Sequence, residues 1–246
     1  MYKLLNEIVN CENIKKVRNG DKDCVCRNVI KVQNNTTPFQ VPEPWNGNLQ
    51  TAKILFISSN PSIDSKEEYP NALWKKEIME DFFINRFSKE RIWVKNELMP
   101  LKIGGEYGGW VRFWAAVRGI AKSLLNKQPI AGQDYAITEI VHCKSTNEIG
   151  VKEAQKECVE KYLSKILECS NAKVIVCLGD KVSSVICQYY LGTEMSARSK
   201  PYANGVDSRV FIFLPHPNAR KRRKLDYIFE TPEAKDKLNE IKDSLK

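Results

Sequence analysis

Four short apolar runs, spaced apart by longer amphipathic stretches, constrain this chain more than any other feature. They read ILFI (residues 54–57), YAITEIV (135–141), VIVCL (174–178) and VFIFL (210–214). All are rich in β-branched or aromatic residues and too short for buried helices, so they are predicted strands. Their near-continuous apolarity suits strands covered on both faces, as in a parallel sheet. Between them, residues 110–125 place Trp110, Phe113, Trp114, Val117, Ala121 and Leu124 on a helical stripe, and residues 151–167 do the same with Val151, Ala154, Cys158, Tyr162 and Ile166. Shorter helices are predicted at 72–87, 181–190 and 232–245. Strands alternating with helices imply right-handed crossovers. The expectation is a three-layer α/β/α fold around a four-stranded parallel sheet. It forms one domain over residues 1–246, with an insertion at about 62–106. The Pro- and Asn-rich stretch 27–50 is expected to wrap the surface as an extended loop.

Each predicted strand runs into polar or turn residues: Ser58-Ser59-Asn60-Pro61-Ser62, His142-Cys143-Lys144-Ser145, Gly179-Asp180 and Pro215-His216-Pro217-Asn218. Sites in open α/β sheets form at the carboxyl ends of strands. Asn60, Glu139, His142 and His216 are therefore expected to converge on one cleft. His216 is one of only two histidines, and the basic block RKRRK (220–224) follows it closely.

Composition narrows the class of partner. The 246 residues carry 39 Lys+Arg against 30 Asp+Glu, a formal net charge of +9, which favours a polyanion such as nucleic acid. No apolar run approaches the ~20 residues of a membrane helix. The opening MYKLLNEIVNC is amphipathic, unlike a secretion signal. A cytoplasmic, monomeric protein with no membrane association is expected. There the eight cysteines point to metal, redox chemistry or core packing rather than disulfides.

Three segments, in order, resemble motifs of the uracil-DNA glycosylase superfamily. SSNPS (58–62) is similar to its first motif, written GxNPG or GEAPG. TEIVHC (138–143) with NAKVIVCLG (171–179) resembles TNVVKC…PKVIVALG of the iron–sulfur branch, and HPNAR (216–220) resembles the second motif, HPSxL. The resemblance implies a DNA glycosylase that flips a damaged pyrimidine, uracil or a related base, from single- or double-stranded DNA and hydrolyses its N-glycosidic bond. His216 would stabilise the departing base anion. Asn60 would hold the attacking water, with Asp64 a second candidate for activating it. Ser59, Tyr107 and Glu139 are the candidate base contacts, Tyr107 standing where the family has a stacking phenylalanine. Asn218, Arg220, Lys221, Arg222 and Arg223 would hold the DNA. Two features depart from the pattern. Ser58 and Ser62 replace glycines, and Glu139 stands where the iron–sulfur branch reads uracil with an asparagine.

That branch also implies a [4Fe–4S] cluster on four cysteines. Four of Cys11, Cys24, Cys26, Cys143 and Cys158 would supply it, with zinc on the same thiolates as the alternative. Cys158 also fits its helix's apolar stripe, and Cys169, Cys177 and Cys187 read as core. Two rival functions stay open. One is a glycosylase-fold module that binds nucleic acid or a modified base without cleavage; the other is a small-ligand α/β enzyme.

Overall fold

The computed structural model describes residues 1–33, 38–195, 200–205, 207–219 and 224–246. Helices α1 (Tyr2–Val9), α2 (Glu12–Arg18) and α3 (Arg27–Lys31) precede β1 (Ile54–Ser58). The predicted insertion holds α4 (Lys76–Asn85) and a small antiparallel ribbon, β2 (Val94–Lys95) with β3 (Met99–Pro100). Then follow α5 (Arg112–Leu125), β4 (Tyr135–Glu139), α6 (Val151–Cys169), β5 (Val174–Leu178) and α7 (Asp180–Ile186), which runs on into one π-helical turn, Cys187–Leu191. The chain closes with β6 (Tyr202–Asn204), β7 (Val210–Leu214), α8 (Leu225–Ile228) and α9 (Pro232–Ser244).

Among the described residues the central sheet has five strands, in the order β4-β1-β5-β7-β6. The four predicted strands are the parallel ones, in continuous register from Tyr135 through Ile54 and Val174 to Val210. The fifth, β6, adds antiparallel to β7 at the edge. It was not legible because it is three residues long, bounded by Pro201 and Gly205, and has no room for a period-two pattern.

Burial on both faces explains the unbroken apolar runs. Along β1, Leu55 and Ile57 enter the core under α6, while Ile54 and Phe56 enter the opposite core with Val117 and Leu124 of α5. The same alternation runs through β5, where Ile175 and Cys177 face one side and Val174 and Val176 the other.

Residues 38–50 do not form the expected surface loop. Trp45 is fully buried, and Asn46 pairs with Ile137 of β4 in both directions, N to O at 2.7 Å and O to N at 3.0 Å. The physical reason is that β4 ends the sheet, and its open edge needs partners. Pro42 and Pro44 lack the N–H groups to extend this pairing into a strand, so it stays an isolated bridge.

Gly150 caps the start of α6 in the left-handed region at φ +74°, and a Cβ there would lie 2.1 Å from the Val29 backbone nitrogen. This close approach docks α3 on α6. Gly150→Ala should cost ~2–5 kcal/mol through left-handed strain plus overpacking, seen as a lower urea midpoint with the fold retained.

Candidate active site

The loops leaving β1 and β4 continue the strand pairing beyond the sheet. Ile140 N donates to Ser58 O (2.9 Å), Val141 N to Ser59 O (3.0 Å) and Ser145 N to Pro61 O (2.9 Å). The two segments thereby form one wall of a cleft of about 540 Å³ at the carboxyl edge of the sheet, within the ~300–1,000 Å³ of small-molecule sites. Asn60, Asp64, Glu139, His216 and Asn218 all line it.

His216 follows β7. The Asn218 backbone N–H donates to its Nδ1 at 3.2 Å, so in the neutral ring the proton sits on Nε2, which becomes a donor. The ring stacks on Phe113, with centroids 5.8 Å apart and planes at 22°. Gly179, beside His216, has φ +100°, a backbone conformation that favours glycine.

The Asn60 Nδ2 donates to the Pro61 carbonyl at 3.0 Å. With the amide nitrogen so engaged, Oδ1 is the atom suited to accept from a water. Asp64 is differently placed. Its Oδ1 accepts from Lys66 N (3.0 Å) and its Oδ2 pairs with Lys102. Burial acts to raise its carboxyl, but the hydrogen bonds from Lys102 and Lys66 prevail and hold it below its ordinary value. That is the wrong direction for a base working near neutral pH.

Other expected residues lie elsewhere. Tyr107 stands outside the cleft, its hydroxyl donating to Ile92 O at 3.0 Å and its ring beneath the Lys95 ammonium. The helix after it begins only at Arg112, so the aromatic rings that reach the cleft are Phe113 and Trp114. Ser59 is buried and does not line the cleft; Ser58 does. His142 is fully buried on the other side of the β4 exit, its Nδ1 bonded to Glu43 O at 2.8 Å, and burial lowers it to about 4. It therefore does not join the cleft. Arg220, Lys221, Arg222 and Arg223 fall outside the described residues.

The sequence reading missed the cleft floor, which holds Glu43, Glu67, Arg86 and Lys144. Arg86 pairs with Glu67 and with Glu43 (3.3 Å), and Lys144 pairs with Glu67 (3.4 Å). The Arg86 guanidinium lies 4.8 Å from the Trp114 and Phe82 ring centroids, and the Lys144 ammonium 3.5 Å from that of Tyr69. Burial would raise Glu67, but the Arg86 and Lys144 charges outweigh it and hold the carboxyl below its ordinary value. Burial pushes Lys144 down.

Behind this wall lies a second, apolar cavity. Cys11, Cys26, Cys143 and Cys158 line it, together with His142 and Tyr162. The five cysteines singled out in the sequence are all reduced thiols. Cys24 does not line the cavity. Among the described residues no group of three or more Cys, His, Asp or Glu side chains is arranged around a single metal ion.

A mostly parallel α/β sheet thus carries an imidazole and a carboxamide into one cleft. The chain belongs to the uracil DNA glycosylase superfamily, whose family pattern matches residues 44–241. Membership supports a DNA glycosylase-like function and DNA as the substrate. No curated protein matches the chain. No helix among the described residues is long and apolar enough to cross a membrane.

The buried ion network generates a stability prediction. Glu67→Ala leaves Arg86 and Lys144 without a shared counter-ion and should cost ~3–5 kcal/mol. Because Glu67 is held below its ordinary value, its contribution is present above about pH 4.3 and fades as the pH falls through the lowered folded value. The deficit of the variant in urea titrations should therefore shrink in acid.

Proposed function

We propose that this protein is a DNA glycosylase that takes a flipped pyrimidine such as uracil into the cleft and hydrolyses its N-glycosidic bond. The observation that carries this reading is the placement of Asn60 and His216 in one cleft at the sheet's carboxyl edge, in a chain of this superfamily. Phe113 and Trp114 supply apolar faces for the base. The His216 Nε2–H donates to the pyrimidine O2 as the C1′–N1 bond breaks and negative charge develops on the base. The Asn60 Oδ1 accepts from the water that adds to C1′. Asp64, tied to Lys102, shapes the loop and adds negative charge near the sugar.

Oligonucleotides bearing uracil, hypoxanthine or a thymine mismatch, single- and double-stranded, followed by abasic-site cleavage, test the activity. His216→Ala and Asn60→Ala should each lower the excision rate by ~10²-fold or more while leaving salt-sensitive DNA binding in place. Binding without abasic sites on any substrate would make the protein a recognition module instead.

The same reading extends to the cysteine cavity. Four thiols from separate segments, Cys11, Cys26, Cys143 and Cys158, fit the donor set of a [4Fe–4S] cluster. Zinc would need the four sulfurs drawn around a single point. When bound, the cluster would supply a covalent tie between the N-terminal helices, the β4 exit and α6. Protein purified without oxygen should be brown with broad visible absorption, and Cys143→Ser should lose that colour. A colourless wild-type protein with stoichiometric zinc would assign the site to zinc.

A further inference from the structure

Five ionisable side chains are buried on the cleft floor, and pairing accounts for four of them. Glu67 takes Arg86 and Lys144. Glu43 accepts from Asn46 (2.6 Å), Tyr69 (2.9 Å) and Arg86 (3.3 Å). Two cations thus answer two carboxylates. The fifth group is Glu139, the last residue of β4. It is 4% exposed, and its Oε2 is buried with no hydrogen-bond partner. A second buried atom on the same floor is also open, the donor Nε of Arg86.

We propose that the Glu139 carboxyl reads the edge of the flipped base as a paired donor and acceptor, selecting bases in which a ring N–H adjoins a carbonyl. This rests on the glycosylase reading of the cleft. An ionised carboxylate only accepts, and would suit two adjacent donors, as on guanine. A neutral acid offers one O–H and one C=O side by side, the complement of N3–H and O4 of uracil or N1–H and O6 of hypoxanthine. The acid proton can sit on either oxygen, so Glu139 alone would also accept the reversed order found on cytosine. Arg86 Nε, a donor lacking an acceptor, breaks that tie, because it favours a carbonyl and disfavours an amino group.

The neutral form follows from the surroundings. The charged and titratable groups that share the cleft lining with Glu139 are Glu43 from the segment before β1, Asp64, Lys66 and Glu67 from the loop after it, Arg86 from the end of α4, Lys144 from the β4 exit and His216 from the β7 exit. Removal from water and the Glu43 charge hold the proton on, against the opposing Arg86 and Lys144 charges, which are themselves engaged by Glu43 and Glu67.

Two measurements test this, and the first needs no catalysis. Glu139→Gln keeps the shape and the donor–acceptor pair but cannot ionise. A carboxyl raised in the folded state contributes stability below about pH 4.3 that is lost as pH rises through the folded value. The urea midpoint of Glu139→Gln should therefore gain on wild type as the pH rises above about 4.3. A constant difference would overturn the neutral acid. The second is competition binding of oligonucleotides carrying one uracil or one 3-methyluracil, which lacks the N3–H. Wild type should prefer uracil by tenfold or more, Glu139→Gln should preserve that preference, and Glu139→Leu should abolish it. Equal loss in the Gln and Leu variants, or an unchanged preference in Leu, would overturn the base-reading role. If no base is excised while both measurements come out as expected, the glycosylase reading fails and the role of Glu139 stands.

Discussion

The Arg86 guanidinium is the point at which the cleft is assembled. It emerges beyond the end of α4, in a segment that looks peripheral in the sequence. Yet it is 2% exposed and pairs with Glu43, ahead of β1, and with Glu67, after it. Its flat faces pack on Phe82 and Trp114, so the ion pairs are also held by apolar contact. A buried guanidinium is tolerated only when its partners are rigid and complete. Trp45 and the Asn46–Ile137 bridge fix Glu43, while the loop pairing with the β4 exit fixes the chain that carries Glu67. The cleft floor thus inherits its rigidity from the sheet edge, which suits the proposed binding of a base in one orientation.

Residues 139–145 serve two sites at once. Glu139 looks into the cleft with Lys144, whereas His142 and Cys143 line the cysteine cavity. The extra hydrogen bonds to the β1 exit hold this segment in place, with Glu139 and Lys144 on the cleft and the consecutive residues Val141, His142 and Cys143 on the cavity. Whatever fixes the cysteines therefore also fixes the backbone beneath Glu139, and Gly150 brings α3, next to Cys26, against the start of α6.

The parallel strands, the main helices and the cleft position of Asn60 and His216 were legible because each leaves a local signal: an apolar run, a helical stripe, a turn after a strand. The charged floor was not. Glu43 and Arg86 are 43 residues apart, and nothing in the local pattern PEPWN or FINRF separates a buried charge from a surface one, because burial depends on partners distant in the chain. Tyr107 was misplaced for another reason. Its choice rests on resemblance to a stacking phenylalanine ahead of a helix, but the helix starts only at Arg112, and Phe113 and Trp114 in its first turn line the cleft instead. His142 shared the same strand-end logic as His216 and failed it, because its ring bonds Glu43 O on the opposite face.

The electrostatics of the cleft follow from what a base is at each stage. A charge of +9 favours a polyanionic partner over long distances, but in the proposed reaction the object that enters the cleft is a neutral nucleobase. A floor whose two cations are matched by two carboxylates offers no net charge to trap a phosphate there. In the proposed reaction the balance matters again as the glycosidic bond breaks and the base becomes an anion. A third carboxylate at position 139 would oppose that charge at short range, in a setting where water is excluded and the repulsion is strong. A neutral acid at 139 does the reverse: its O–H strengthens as a donor while the base carbonyl gains electron density, so the group that identifies the base also favours its departure.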